Sequence, residues 1–327
     1  MIPKPKIAVT RQVFEETLDF LRGHCEVDAN QDDTSCEGAA LAARLADQDG
    51  ALVLASDRID AALVAACPRL KAVCNIGVGY NNIDVEACTR AGIMVTNTPE
   101  VLNDTTADMA FALVLAAGRQ VVRGDAYVRQ GRWQRWRFMD WLGPDVHHAT
   151  LGILGMGRIG QAVARRARGF EMNVLYHNRN RLPPQAEADC AARHVGKEEL
   201  LRQSDYLVLL LPYSPATHHC VGAAELALMK PTAWLVNIAR GGIVDDAALL
   251  ACLARGGIAG AALDVFENEP NVNPGFFALD NVVLTPHIGG ASRDTRLKMA
   301  MLAARNLVAA LSGDAPPNLL NPAARRS

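Results

Sequence analysis

Short, almost wholly apolar runs recur along the chain, each closed by glycine, proline or a polar residue. Residues 6–10 (KIAVT), 49–54 (DGALVL), 70–75 (LKAVCN) and 93–97 (IMVTN) read as one group of strands. A second group follows at 151–154, 173–176 (NVLY), 204–211 (SDYLVLLL), 233–238 (AWLVNI), 258–264 (IAGAALD) and 282–285 (VVLT). Helical spacing fills the intervals, as in the long apolar stretch 104–119, with Thr106 and Asp108 near its start, and the amphipathic stretch 293–311. Such alternation predicts α/β architecture with parallel, helix-covered sheets. The proline-rich tail 316–327 is expected to be loosely held.

One strand–turn–helix stands out. In 151–160 (LGILGMGRIG) an apolar strand runs into Gly155, Gly157 and Gly160 with G-x-G-x-x-G spacing. Gly155 allows the tight turn, Gly157 the approach of a pyrophosphate, and Gly160 close packing of the new helix on the strand. An anion there meets free N–H groups and the positive end of the helix dipole. The helix-compatible run 161–169 and the strand 173–176 complete a dinucleotide-binding unit. NAD-preferring sites place a carboxylate at the end of the second strand, about 20 residues past the glycines, to hold the ribose 2′-OH. Here 176–181 reads YHNRNR, with no carboxylate. Arg179, helped by Asn178 and Arg181, suits a 2′-phosphate, so NADP(H) is expected to be preferred with NAD(H) possible; the plain alternative is a solvated basic loop.

Composition narrows the partners. The chain has 327 residues, room for two domains, and a net charge of -2, which offers no footprint for nucleic acid or an anionic membrane. No apolar run is long enough to span a bilayer, and the start lacks a secretory signal pattern, so a cytoplasmic location is expected. The 8 cysteines form no C-x-x-C pair and read as small buried hydrophobes rather than disulfides or a zinc site; no metal is expected. Trp133, Trp136 and Trp141 fall close together among Arg132, Arg135 and Arg137, a composition typical of interface anchors and pointing to a homodimer, the plain alternative being that they pack onto their own chain. The adjacent His147 and His148 read as structural.

Ligands of doubly wound sheets gather beyond the carboxyl ends of the strands. Arg240, Asp264 and His287 stand at such ends, and Glu269 on the loop after Asp264. Reduction of a 2-keto acid needs an anchored carboxylate, a polarised carbonyl, a hydride and a proton. Arginine supplies a permanently charged fork of donors, and histidine titrates where a proton must be exchanged. A carboxylate bonded to the imidazole fixes its tautomer and favours its charged form. The turn 76–84 (IGVGYNNID) has glycine spacing that brings N–H groups to an anion, or else is merely a tight turn.

The runs NIARGGIVDDAAL from Asn237, GAALDVFENEP from Gly260 and LTPHIGGAS from Leu284 resemble the three signatures of the D-isomer-specific 2-hydroxyacid dehydrogenases, and the resemblance covers nearly the whole chain. It implies catalytic roles for Arg240, Glu269 and His287. It implies substrate contacts from Val78 and Gly79, through backbone N–H groups, and from Arg240 and His287. Asp264 would orient the nicotinamide carboxamide. The remaining cofactor set is Gly155, Met156, Gly157, Arg158, Ile159, Gly160, Asn178, Arg179, Thr106, Ile238, Ala239, His287 and Gly289. The implied fold is two doubly wound parallel-sheet domains: a Rossmann nucleotide-binding domain, 102–288, inserted into a flavodoxin-like substrate domain assembled from 1–101 and 289–327. Within the family, DVHHATLGILGMGRIGQAVARRA from Asp145 is most similar to bacterial glyoxylate/hydroxypyruvate reductases of the type that also reduce 2-ketogluconate. In some relatives a residue matching Trp141 reaches the partner's substrate site. One departure is Gly290-Ala291-Ser292, where relatives often carry Ser-Ala-Thr. Rival expectations are phosphoglycerate or phosphite dehydrogenation, and a nucleotide-sensing binding protein of the same fold.

Overall fold

The computed structural model describes residues 3–325 and divides them into two compact α/β units. One comprises the residues up to Leu102 together with those from Ala291 onward; the other is Asn103–Gly290. The sequence reading sets these junctions at 101 and 289.

The first unit holds β1 (Lys6–Val9), β2 (Glu26–Ala29), β3 (Gly50–Val53), β4 (Ala72–Asn75) and β5 (Met94–Thr96), with helices α1 (Glu15–His24), α2 (Gly38–Leu45), α3 (Ala61–Ala66) and α4 (Val85–Ala91). The strands are parallel in the order β2-β1-β3-β4-β5, the doubly wound order of flavodoxin-like sheets. Because successive side chains point to opposite faces, β1 feeds two cores. Ala8 packs with Leu41 and Leu45 on one side, while Ile7 and Val9 pack with Leu18, Leu21 and Leu307 on the other. The edge strand β2 (EVDA) has an exposed and half-buried face, which hides it from a hydrophobicity reading.

The second unit holds α5 (Asn103–Gly118), α6 (Val121–Arg129), β6 (Thr150–Leu154), α7 (Arg158–Ala167), β7 (Asn173–His177), α8 (Pro184–Cys190), β8 (Ala192–His194), α9 (Lys197–Gln203), β9 (Tyr206–Leu209), α10 (Ala223–Leu226), β10 (Trp234–Asn237), α11 (Asp246–Ala254), β11 (Gly260–Leu263) and β12 (Val282–Leu284). Its parallel order is β12-β11-β10-β9-β6-β7-β8, so chain direction through the sheet reverses between β6 and β9. That is the switch point at which such sheets bind nucleotides.

The chain closes with α12 (Arg293–Leu311), which contributes Ala303, Ala304, Leu307 and Ala310 to the first unit's core. The tail is not loose. Leu320 N–H donates to Val95 O at 2.8 Å. The Asn321 side chain accepts from Val95 N at 2.8 Å and donates to Ile93 O and Thr89 Oγ1, both at 2.9 Å. An amide side chain offers a donor and an acceptor together, and here it completes the open edge of β5. Residues 326 and 327 of that tail lie outside the described residues.

The eight cysteines are unpaired, six of them buried. No helix among the described residues is long and apolar enough to cross a membrane. α6 buries no residue, and beyond it Trp133, Trp136, Phe138 and Met139 are 59 to 78% exposed. Trp141 meets Tyr127 edge-on, with Arg123 over its ring.

Candidate active site

The glycine turn behaves as its spacing requires. Gly155 has φ +106°, and a Cβ there would lie 2.7 Å from the Leu210 carbonyl carbon; at Gly160 it would lie 2.5 Å from Gly155 O. A Cβ on Gly157 meets nothing within 4 Å, so that position is bare toward open space rather than toward the chain. α7 begins on Gly157, which presents first-turn N–H groups and the positive dipole end at a backbone site without a side chain. These features fit a dinucleotide pyrophosphate.

The end of β7 is tied to this turn, since Asn178 Oδ1 accepts from Met156 N at 2.7 Å. Arg179 is exposed, and its guanidinium has no hydrogen-bond or ion-pair partner among the described residues. Arg181 differs. It donates twice to Glu187, at 2.8 and 2.7 Å, and Glu187 also takes the Tyr176 hydroxyl at 2.5 Å. Arg181, followed by Tyr176, holds the Glu187 carboxyl down at about 2. The expectation that Arg181 assists Arg179 is therefore corrected: the Nε–Nη2 edge of its guanidinium is held by Glu187, six residues along its own chain.

Arg240, Asp264 and His287 follow the neighbouring strands β10, β11 and β12. His287 Nδ1 is 2.7 Å from Glu269 Oε2, and Glu269 Oε1 accepts from Phe266 N at 2.8 Å. Burial pushes the Glu269 carboxyl up, but the His287 contact, the Phe266 N–H and the charge of Arg240 together bring it below the usual range. Burial pulls the half-buried Arg240 guanidinium down, and Glu269 offsets part of that. Arg240 Nη1 donates to Ala239 O at 2.8 Å. A Cβ on Gly241 would fall 1.7 Å from Phe266 O, so the turn carrying Arg240 lies directly on the turn leading to Glu269.

Asp264 is completely buried and clamps the turn that carries His287. Its Oδ1 accepts from Thr285 Oγ1 at 2.6 Å and Ile288 N at 2.9 Å, its Oδ2 from Gly289 N at 2.8 Å. Ile238 and Ala239, just past β10, and Thr106 on α5 are buried in the same unit. Val78 and Gly79 lie in the first unit, on the turn after β4.

Sequence reasoning missed a group behind the turn that carries Glu269. Asp246 Oδ2 accepts from Glu267 N at 3.2 Å, and the Glu267 carboxylate meets His219 Nε2. Burial, with the charges of Glu267 and Asp245, pushes the Asp246 carboxyl up to about 6. The doublet Asp245-Asp246 is the available signal. Asp245 caps α11 by accepting from Ala248 N, which leaves Asp246 to another task.

Residues 111–289 match the family of the D-isomer specific 2-hydroxyacid dehydrogenase, NAD binding domain. The chain belongs to the D-isomer-specific 2-hydroxyacid dehydrogenases and is an NAD(P)-dependent oxidoreductase. It is 47% identical over 322 residues to a glyoxylate reductase of Thermococcus onnurineus (strain NA1), covering 97% of this chain and 96% of that one. It is 48% identical to a glyoxylate reductase of Pyrococcus furiosus, with the same coverage. Among solved structures it resembles a glyoxylate reductase from Paecilomyes thermophila, with TM-score 0.87, 35% identity and 98% of this chain and 99% of that one covered. It also resembles an NADPH-dependent glyoxylate/hydroxypyruvate reductase from Sinorhizobium meliloti in complex with NADP and malonate, with TM-score 0.87, 32% identity and 99% of each chain covered.

Proposed function

We propose that the enzyme reduces glyoxylate and related small 2-keto acids, hydroxypyruvate and 2-ketogluconate among them, to D-2-hydroxy acids, using NADPH in preference to NADH. The observation that carries the reading is the His287–Glu269 pair beside Arg240 at adjoining strand ends. The bound nicotinamide supplies the hydride. Arg240 binds the substrate carboxylate and keto oxygen through its fork of donors, and the N–H groups of Val78 and Gly79 hold the carboxylate. With Nδ1 engaged by Glu269, Nε2 is the nitrogen of His287 left to donate a proton to the keto oxygen. Glu269 stays ionised and supports the imidazolium that donates it. Asp264, completely buried with both oxygens bonded, bears on the nicotinamide carboxamide through the His287 turn that it clamps.

Arg179, exposed and unengaged, is the ligand of the 2′-phosphate, with Asn178 fixing the loop on the glycine turn. The exposed tryptophans beyond α6 support a homodimer, and eight unpaired cysteines support a reducing, cytoplasmic setting. The test is the initial rate of NADPH oxidation with glyoxylate, hydroxypyruvate and 2-ketogluconate, repeated with NADH. Turnover selective for NADPH is expected, and Arg179→Ala raises the KM for NADPH about tenfold or more while sparing NADH. No turnover with any of the three refutes the substrate reading; a coenzyme ratio unmoved by Arg179→Ala refutes the coenzyme reading.

A further inference from the structure

The turn after β4 has all three of its carbonyls held inward. Gly77 O accepts from Thr98 N at 2.9 Å, Val78 O from Asn97 Nδ2 at 2.8 Å, and Gly79 O from Asn75 Nδ2 at 2.8 Å. Asn75 is completely buried and Asn97 is 7% exposed. In a trans peptide the C=O of one residue points opposite to the N–H of the next. Carbonyls of Gly77 and Val78 drawn inward therefore turn the N–H groups of Val78 and Gly79 outward, and these two donate to no atom of the described residues. Each inward bond also polarises its peptide and strengthens the N–H on the other side.

Asparagine is required by this arrangement. Asn75 Nδ2 faces Gly79 O at 2.8 Å and Gly77 O at 3.4 Å, so only a donor fits there, while its Oδ1 stays buried without a partner. A buried acceptor left unpaired is costly. The turn keeps it, because the same amide, through Gly77 O at 3.4 Å, helps to turn the Val78 N–H outward and, through Gly79 O at 2.8 Å, pins the far end of the turn, while Asn97, through Val78 O, turns the Gly79 N–H outward.

We propose that Asn75 and Asn97 are positioning residues for the substrate carboxylate, acting through the carbonyls they hold and never touching the substrate. The inference deepens the reading of Val78 and Gly79 above and rests on it. It separates substrate affinity from coenzyme affinity, because both asparagines belong to the unit that lacks Gly155, Gly157 and Gly160.

The test uses Asn75→Asp, which keeps the shape but sets an acceptor against Gly79 O, and Asn97→Ala, which removes the donor to Val78 O and covers the case in which the first fails to fold. Glyoxylate KM, the inhibition constant of oxamate, and the NADPH dissociation constant by fluorescence are measured for each folded variant. The expected result is a rise of about tenfold in both the KM and the oxamate constant, with NADPH binding within twofold of the parent. Unchanged glyoxylate and oxamate constants overturn the proposal. So does an equal loss of NADPH affinity, which marks a general structural defect. If the parent enzyme turns over no keto acid, the functional reading fails separately, and calorimetry of oxamate with the NADPH-bound protein decides: binding lost in the variants upholds the positioning role, and binding equal in all, or absent from the parent, overturns it.

Discussion

Replacing Glu269 by glutamine tests the proton relay more sharply than removing it. The carboxylate has two acceptor duties, Oε2 toward His287 Nδ1 at 2.7 Å and Oε1 toward Phe266 N at 2.8 Å. Glutamine keeps only one acceptor oxygen. Phe266 N–H is a fixed backbone donor and claims it, so the new NH2 group is driven against His287 Nδ1. An imidazole accepting at Nδ1 carries its proton on Nε2 and is neutral; the imidazolium, with N–H at both positions, would meet donor with donor. The variant thus holds the ring in the tautomer unable to act as a charged acid, while shape and packing stay almost the same. Two losses combine. A hydrogen bond to a charged group is worth about 1.5–3 kcal/mol, and the lower end applies because the Glu269 and His287 side chains are 31% and 38% exposed, which makes the first loss about tenfold. The second is general acid catalysis itself, roughly 10²–10⁴. Steady-state NADPH oxidation across pH should show kcat for Glu269→Gln lower by about a hundredfold or more, with NADPH KM within twofold. A kcat within threefold of the parent, or a defect confined to coenzyme KM, refutes the relay.

Three more outcomes follow from features remote from the reacting atoms. Burial and like charges raise the Asp246 carboxyl from 3.8 to about 6, so its ionisation costs the fold, and stability present at low pH is lost as pH climbs through about 6. Such a rise is worth at most about 3 kcal/mol, and Asp246→Asn, which can still accept from Glu267 N, should melt several degrees higher than the parent at pH 8 and alike at pH 4; a pH-independent difference contradicts this. Asn321→Ala removes the side-chain bonds to Val95, Ile93 and Thr89 and should lower the first unit's unfolding free energy by about 3 kcal/mol in urea, an unchanged midpoint being the contrary result. Trp133→Ser with Trp136→Ser should convert the proposed homodimer to a monomer by light scattering, and a parent that is itself monomeric, or a dimer that survives, refutes the tryptophan interface.

Strands that are almost wholly apolar, such as β6, β9 and β10, were legible because nearly all their residues are buried on both faces. The edge strands β2 (EVDA) and β8 (ARH) were not: one face meets water, and the hydrophobic signal vanishes with it. Arg240, Glu269 and His287 stood out because strand ends collect chemistry and their surrounding runs are distinctive. Asp246 and His219 did not, since their meeting with Glu267 joins the start of α11 to two loops, each more than twenty residues away or on the far side of a strand. The misreading of Arg181 has a local cause, a carboxylate one turn into α8 that a window ending at the basic run leaves out. Asn321 shows the same limit at longer range: a polar residue in a proline-rich tail looks solvated until an unpaired strand edge is there to receive it.

The split first unit also has a consequence for the order in which the molecule can be made. Ile7, Val9, Leu18, Leu21, Leu52 and Cys74 share their core with α12, which begins only after the entire second unit has been synthesised. A growing chain usually folds its N-terminal domain first. Here the middle of the chain is the part able to close its own sheet early, since every strand from β6 to β12 precedes Gly290. The nucleotide turn can therefore take shape while the opening hundred residues still wait with one face of their sheet uncovered.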